Sequence, residues 1–323
     1  MLYPLQFKPI FKERIWGARN LERLYRKALP VGVPIGESWE ITDRPGDVSV
    51  IANGPLAGRD LRWLMENHRQ DLLGGAAALN GRFPLLIKIL DAQDTLSLQV
   101  HPPAAKAAAL QGESKTEMWF ITEGQPGAAL FVGLRRGVTR AEFERKIADG
   151  TVAECFHRHE VRAGDAMFLP SGRVHAIGAG NVIFEIQQNS DTTYRVFDWN
   201  RVGLDGRPRE LHVPQSLQSI DFDDFEPALE SRHAEPHGAA TVRPLAHCPL
   251  FQVEQVGVPA GASVELPPAT MQILGIISGE VRVKSAPADV NLKAGEFCLL
   301  PASVSARIEA PTSASYLRTE AGR

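Results

Sequence analysis

The sequence predicts a mainly β protein built from two related β-domains with small helical insertions. Three observations carry this. Short alternating or apolar runs recur throughout the 323 residues, broken by turns rich in glycine (28) and proline (23). Helical periodicity is confined to a few short segments. One stretch of the chain is also repeated: GDAMFLPSGRVHAI (Gly164–Ile177) matches GEFCLLPASVSARI (Gly295–Ile308) in its glycine, the acidic residue after it, the Leu-Pro pair and the final isoleucine, at a constant offset of 131.

The elements follow in order. Ser38–Thr42 and Val48–Ile51 read as strands. After the turn-rich Asn53–Arg59, Leu61–Leu73 (LRWLMENHRQDLL) reads as a helix. Phe83–Leu90, Leu96–His101 and Met118–Thr122 are strands; in the second, Leu96, Leu98 and Val100 alternate with Ser97, Gln99 and His101. Thr139 and Glu142 form a capping box for a helix over Thr139–Lys146, with Phe143 and Ile147 one turn apart. Ala166–Leu169 and Val182–Gln187 are strands, and Arg209–Ile220 is a third short helix. A second correspondence, Ile121–Gly124 with Ile276–Gly279, has an offset of 155. The 24-residue difference between the offsets matches Gly137–Glu160, read as a helical insertion in the first copy alone. The expected division is a catalytic domain over 1–240 and a degenerate copy over 241–323, where His175 of the first copy is replaced by Ala306.

Composition narrows the function. Net charge is -3, with 44% hydrophobic and 23% charged residues, and the basic residues are scattered. This favours neither nucleic acid nor a membrane surface. The amino terminus carries Lys8, Lys12, Glu13 and Arg14 and lacks a signal-peptide core, and no run approaches a spanning length. Cys155, Cys248 and Cys298 form neither a disulfide framework nor a CxxC pattern. A cytoplasmic protein is expected, with any metal held by histidine and carboxylate. No P-loop or GxGxxG motif supports nucleotide chemistry.

One strand face carries the chemistry. Ser97, Gln99 and His101 put a hydroxyl, an amide and an imidazole in a row, which suits a lined cavity better than solvent. Glu117 opens another strand, with Lys115 and Trp119 on the same face. The spacing Gly164-x5-Pro170-x-Gly172-x2-His175 sets a tight loop before a strand that begins at His175. A lone strand histidine is usually structural, so the case for a site rests on the combination. His157 and His159 lie in the insertion and are expected at the surface; His68, His212, His233, His237 and His247 have no partner at ligand spacing.

These motifs resemble the cupin superfamily and, within it, the type I mannose-6-phosphate isomerases in their short bacterial form. The resemblance rests on IWGARNL (Ile15–Leu21), GESWEITDRPGDVSVIANGPLAG (Gly36–Gly58), LIKILDAQDTLSLQVHP (Leu86–Pro102), KTEMWFI (Lys115–Ile121), LPSGRVHAIGAG (Leu169–Gly180) and EIQQNSDTTYRVFDWNR (Glu185–Arg201). It implies two cupin, jelly-roll-like β-barrels and one zinc ion held by Gln99, His101, Glu117 and His175. It also implies interconversion of mannose 6-phosphate and fructose 6-phosphate through a cis-enediol. Glu117 and His175 are 58 residues apart, so the long helical domain of larger members is absent.

Such a reaction needs a carbonyl polariser, a base for the carbon-bound proton and a grip on the far end of the sugar. Zinc would supply the first. Lys115 and Glu185 both match positions discussed as catalytic in the family. Lys115, near a dication in a dry pocket, is expected to have a pKa lowered toward neutrality; its alternative is an exposed strand lysine. Glu185 lies in the apolar VIFEI; its alternative is an ion pair with Arg195 or Lys88. Arg195 matches an active-site arginine that would hold the phosphate or stabilise the enediolate. Lys88, in PLLIKIL, calls for an anion and is assigned with Ser97 to the phosphate. Trp16, Glu37 and Trp39 belong to matching amino-terminal motifs, with packing and substrate contact both open for the tryptophans. The expected partner is a small sugar phosphate, and the oligomeric state is open, a monomer included. The rival readings are an isomerase of another or unphosphorylated sugar, a cupin Fe(II) oxygenase using two His and a carboxylate, and a sugar-binding cupin without catalysis.

Overall fold

Alternation fixes the architecture: every strand that buries both faces sends successive side chains into two different cores. The computed structural model describes residues 1–322. In the first half an antiparallel six-stranded sheet runs in the order Ile10–Ala18, Ile35–Ile41, Leu85–Ala92, Asn181–Gln188, Glu117–Gly124, Ala166–Leu169. A second sheet faces it, in the order Tyr194–Phe197, Leu98–Val100, His175–Ile177, Ala129–Leu134, Phe156–Glu160. Along Glu117–Gly124, Met118 and Phe120 join the core shared with the second half, while Trp119 and Ile121 turn inward between the two sheets. The molecule is mainly β with few helices, as the sequence predicts, and its paired sheets fit the cupin plan.

The second half repeats the plan. Its six-stranded sheet runs Glu235–His237, Ala240–His247, Phe251–Val258, Ala314–Ala321, Gln272–Ser278, Phe297–Leu300, opposite Ser263–Leu266, Ala306–Glu309, Glu280–Lys284, Val290–Lys293. The repeated motif therefore occupies matching places: Ala166–Leu169 and Phe297–Leu300 are both sheet edges, and His175 and Ala306 both begin the strand after the turn. Between the second pair of sheets lie Leu274, Ile276, Val281, Val283, Ala306, Ile308 and Tyr316, an apolar filling. The two halves share a core in which Phe184 packs on Phe297 (5.0 Å) and Phe168 on Phe251 (6.4 Å). Leu5 and Leu299 exchange two backbone hydrogen bonds of 2.9 Å, strapping the amino terminus to the second half.

Several elements differ from expectation. The helix over Leu61–Leu73 is two helices, Leu61–Asn67 and Arg69–Leu73, because His68 leaves the helical region (φ -137°) with its ring 5.1 Å from that of Trp63. The N-cap half of the capping box forms: Thr139 accepts a hydrogen bond from the Glu142 amide, and the helix spans Arg140–Ala148. The insertion is only partly helical, since Phe156–Glu160 pairs as an edge strand with Ala129–Leu134. His157 and His159 on it are half-buried, 4.3 Å ring to ring. The third helix is Val213–Ser219, not Arg209–Ile220. Pro214 seeds its first turn, and Arg209 is drawn away by Asp198. Among the described residues no helix is long and apolar enough to cross a membrane.

The shared core generates a prediction. Phe297→Ala removes the Phe184 contact and leaves a void between the halves. It should cost about 3–5 kcal/mol in chemical denaturation, with the loss shared by probes in both halves.

Candidate metal centre and its cavity

Sheet register places the polar side chains. On the smaller sheet Gln99 pairs directly with both His175 and Arg195, so all three project from one face. On the larger sheet Lys88 pairs with Trp39 and Glu185, and Glu185 with Trp119. The two polar rows face each other across a cavity of about 580 Å³.

Behind its Gln99 and Lys115 lining, His101, Glu117 and His175 converge. Glu117 Oε1 lies 3.2 Å from His175 Nε2 and 3.5 Å from His101 Nε2. One ligand atom from each lies within 4.8 Å of the others, the only such group among the described residues. All three are buried: 0% exposure for Glu117 and 1% for each histidine. Each imidazole donates Nδ1–H to a backbone carbonyl, His101 to Thr192 (2.8 Å) and His175 to Arg173 (2.9 Å). That fixes the tautomer and turns both Nε2 lone pairs inward. Gln99 Nε2 is 3.3 Å from His175 Nε2. A half-turn of its amide would present Oε1 instead.

The charges suit a cation. Burial, reinforced by Lys115, lowers the His101 pKa to about 4, and burial lowers that of His175 as well. Both rings are neutral near pH 7. Burial pushes the Glu117 pKa up, but the Lys115 ammonium draws it down and favours the ionised carboxyl. His101 Nε2 and both Glu117 carboxylate oxygens are buried without a hydrogen-bond partner. Orphaned atoms of this kind are costly unless something binds them. Two neutral imidazole nitrogens and a carboxylate are what a divalent metal takes, so these residues fit one.

The second row is an ion network. Lys115 Nζ is 3.1 Å from Glu117 Oε2 and 3.6 Å from Glu185 Oε1. It is buried, not an exposed strand lysine. In the metal-free protein burial lowers its pKa, but Glu117 and Glu185 more than reverse this, and the net shift is upward; the expected fall concerns the site with a dication bound. Glu185 also meets Lys88 (3.4 Å), which lies 3.9 Å from Glu37. The anion that buried Lys88 calls for is thus present as two carboxylates. Glu185 has no ion pair with Arg195; the Arg195 guanidinium donates from Nη1 to the Glu210 carbonyl (2.7 Å). Ser97 is buried in the cavity wall.

Trp16 lines the cavity, whereas Trp39 is buried and braces Glu37, its Nε1–H donating to Glu37 Oε2 (2.6 Å). Burial raises the Glu37 pKa, and Lys88 and Arg14 bring it down to about 2. Among the charged lining residues that sequence reasoning did not single out are Arg14, Asp191 and Arg209. Arg14, which holds Glu37 (2.8 Å), sits two residues before Trp16 on one strand and was legible by alternation. Asp191 and Arg209 lie in irregular segments, where periodicity gives no signal.

Comparison with known proteins agrees with this geometry. Residues 4–127 match the family described as phosphomannose isomerase type I, catalytic domain. Mannose-6-phosphate isomerase ManA of Bacillus subtilis is 38% identical over 304 residues, spanning 92% of this chain and 93% of ManA. Mannose-6-phosphate isomerase of Streptococcus mutans is 33% identical over 305 residues, spanning 94% of each. The crystal structure of the mannose 6-phosphate isomerase from Bacillus subtilis superposes with a TM-score of 0.90 at 29% identity, covering 98% of this chain and 99% of that one.

The lowered His101 pKa has a consequence for stability. Between about pH 6.5 and about pH 4 the unfolded chain binds a proton at this histidine that the folded chain does not. Stability therefore rises with pH across that window. Acidifying the metal-free protein from pH 7 to pH 4 should cost on the order of 2–3 kcal/mol through this group, and His101→Gln should flatten that part of the profile in urea titrations.

Proposed function

The chain belongs to the type I phosphomannose isomerase family, and from that premise we propose that it interconverts mannose 6-phosphate and fructose 6-phosphate. The observation that carries the reading is the buried His101–Glu117–His175 cluster, which touches the Lys115 and Gln99 lining of a cavity also walled by Glu185 and Arg195. Gln99, His101, Glu117 and His175 would hold one divalent ion, with zinc favoured by the nitrogen and carboxylate donors. When bound, the ion acts as a Lewis acid on the sugar's reacting oxygens.

The chain's own residues divide the remaining work. Glu185 takes the proton from C2 of the aldose and returns it to C1, so that a cis-enediol lies between the two sugars. Its carboxylate faces two ammonium groups and has one oxygen, Oε1, buried without a hydrogen bond. Lys115, held positive, serves as a donor to the sugar oxygens as a proton passes from O2 to O1. An ammonium with a raised pKa is a poor base and a good donor. Lys88, 3.4 Å away, holds Glu185 in place. Arg195, with a buried unpartnered Nε, and Ser97 meet the substrate beyond the metal. The phosphate belongs on that wall, because on the Lys88 wall it would face Glu37 and Glu185.

A coupled isomerase assay with mannose 6-phosphate tests the reading: turnover should vanish with chelator and return with zinc, and a metal-replete protein without turnover would reject it. Glu185→Gln should lower kcat by about 10²–10⁴-fold with the metal retained. Lys88→Met, which leaves Glu185 and Glu37 short of a cation, should impair mannose and mannose 6-phosphate to similar extents. A loss confined to the phosphorylated sugar would instead put Lys88 at the phosphate.

A further inference from the structure

The segment between the Tyr194–Phe197 strand and the Val213–Ser219 helix crosses the cavity mouth, and Gly203, Leu204, Asp205 and Arg209 from it line the cavity. Its guanidinium groups are unequally matched: Arg201 also meets Asp94 (3.0 Å), and Asp205 shares the lining with Arg195 and Arg209. Asp198 is shared by two guanidinium groups, accepting from Arg201 Nη2 (2.8 Å) and Arg209 Nε (2.6 Å). Arg195, the third, meets no carboxylate; it has the Glu210 carbonyl and a buried Nε with no partner. Burial, and then the positive charge of Arg209, lower the Arg195 pKa from the usual guanidinium range. Like charges gathered at a cleft are relieved by an anion. The opposite wall is different in kind, since Lys88 there is matched by Glu185 and Glu37.

Register gives the position of this cationic group. Arg195 pairs with Gln99 and Phe197 with Leu98, and Trp199 Nε1–H donates to the Leu96 carbonyl (2.8 Å). Asp198 and the Arg209 it holds therefore lie along the Ser97 end of the strand, away from the metal ligands. A sugar whose reacting carbons sit beside Gln99 and Lys115 would extend its far end toward this place.

We infer that Arg209, oriented by Asp198, joins Arg195 in a two-guanidinium clamp for the substrate's phosphate and sets the preference for a phosphorylated sugar. The inference rests on the proposed reaction for its substrate, but its ligand chemistry can be tested without turnover. Guanidinium groups bind phosphate oxygens through paired, charge-assisted hydrogen bonds, and neither Lys nor a neutral side chain reproduces that geometry.

The test measures inorganic phosphate binding to the zinc-loaded protein by calorimetry, alongside kcat and KM for mannose 6-phosphate and mannose. Arg209→Met should weaken inorganic phosphate by about tenfold or more and raise KM for mannose 6-phosphate by a similar factor. The ratio of kcat/KM between mannose 6-phosphate and mannose should fall accordingly. Arg209→Lys should recover part of the loss. Asp198→Asn, which keeps the shape and removes the charge that orients Arg209, should shift KM the same way. Arg207→Met, an exposed change in the same segment, should shift none of these constants. Phosphate binding that depends on Arg209 in a protein that does not isomerise mannose 6-phosphate would uphold the clamp and reject the reaction. Wild-type phosphate affinity in both Arg209→Met and Asp198→Asn would overturn the clamp.

Discussion

The site depends on one buried charge. Glu117 has no exposure to water, and an ion so placed loses several kcal/mol of hydration unless its surroundings replace it. Lys115 at 3.1 Å offsets part of that cost. The two imidazoles, kept neutral by burial and tied through Nδ1 to backbone carbonyls, offer lone pairs and no N–H on the side facing the carboxylate. The cluster is thus incomplete without a cation. In the metal-free protein the same charge favours the protonated form of Lys115.

The two halves show what the fold requires and what the site adds. Both hold a charged pair at the same place in the larger sheet: Lys88 opposite Glu185 in the first, Glu254 opposite Arg318 in the second, with the signs exchanged. A cross-sheet ion pair is therefore part of the plan in either half. The first half adds His101, Glu117, His175 and Lys115 and keeps the space between its sheets open. The second fills that space with Leu274, Ile276, Val281, Ile308 and Tyr316. The closed half supports the open one through Phe297 and the strap at Leu5.

What was legible in the sequence follows from period two. Gln99 and His101 share a face because they are two apart on a strand, and so do Lys115, Glu117 and Trp119, so the metal-facing set could be read directly. The internal repeat located the second half and the loss at Ala306. Partners across strands were legible only in part. Lys88, 97 residues from Glu185, was one of the two ion-pair partners offered for it, whereas Arg14 and Glu37 are 23 residues apart and nothing in either segment names its neighbour. Lys88 was read as calling for an anion, and the carboxylates of Glu185 and Glu37 lie beside it. The segment after Phe197 carries no periodicity, so its cations stayed hidden until the fold brought them to the cavity mouth.

The central claim is one cation held by these side chains. Crystals grown with zinc and measured on both sides of its absorption edge test it without reference to activity. A single anomalous peak bonded to His101 Nε2, His175 Nε2 and a Glu117 oxygen at about 2.0–2.2 Å is the predicted result. A zinc-soaked crystal with no peak among those three residues, or with its peak on other side chains, would contradict it.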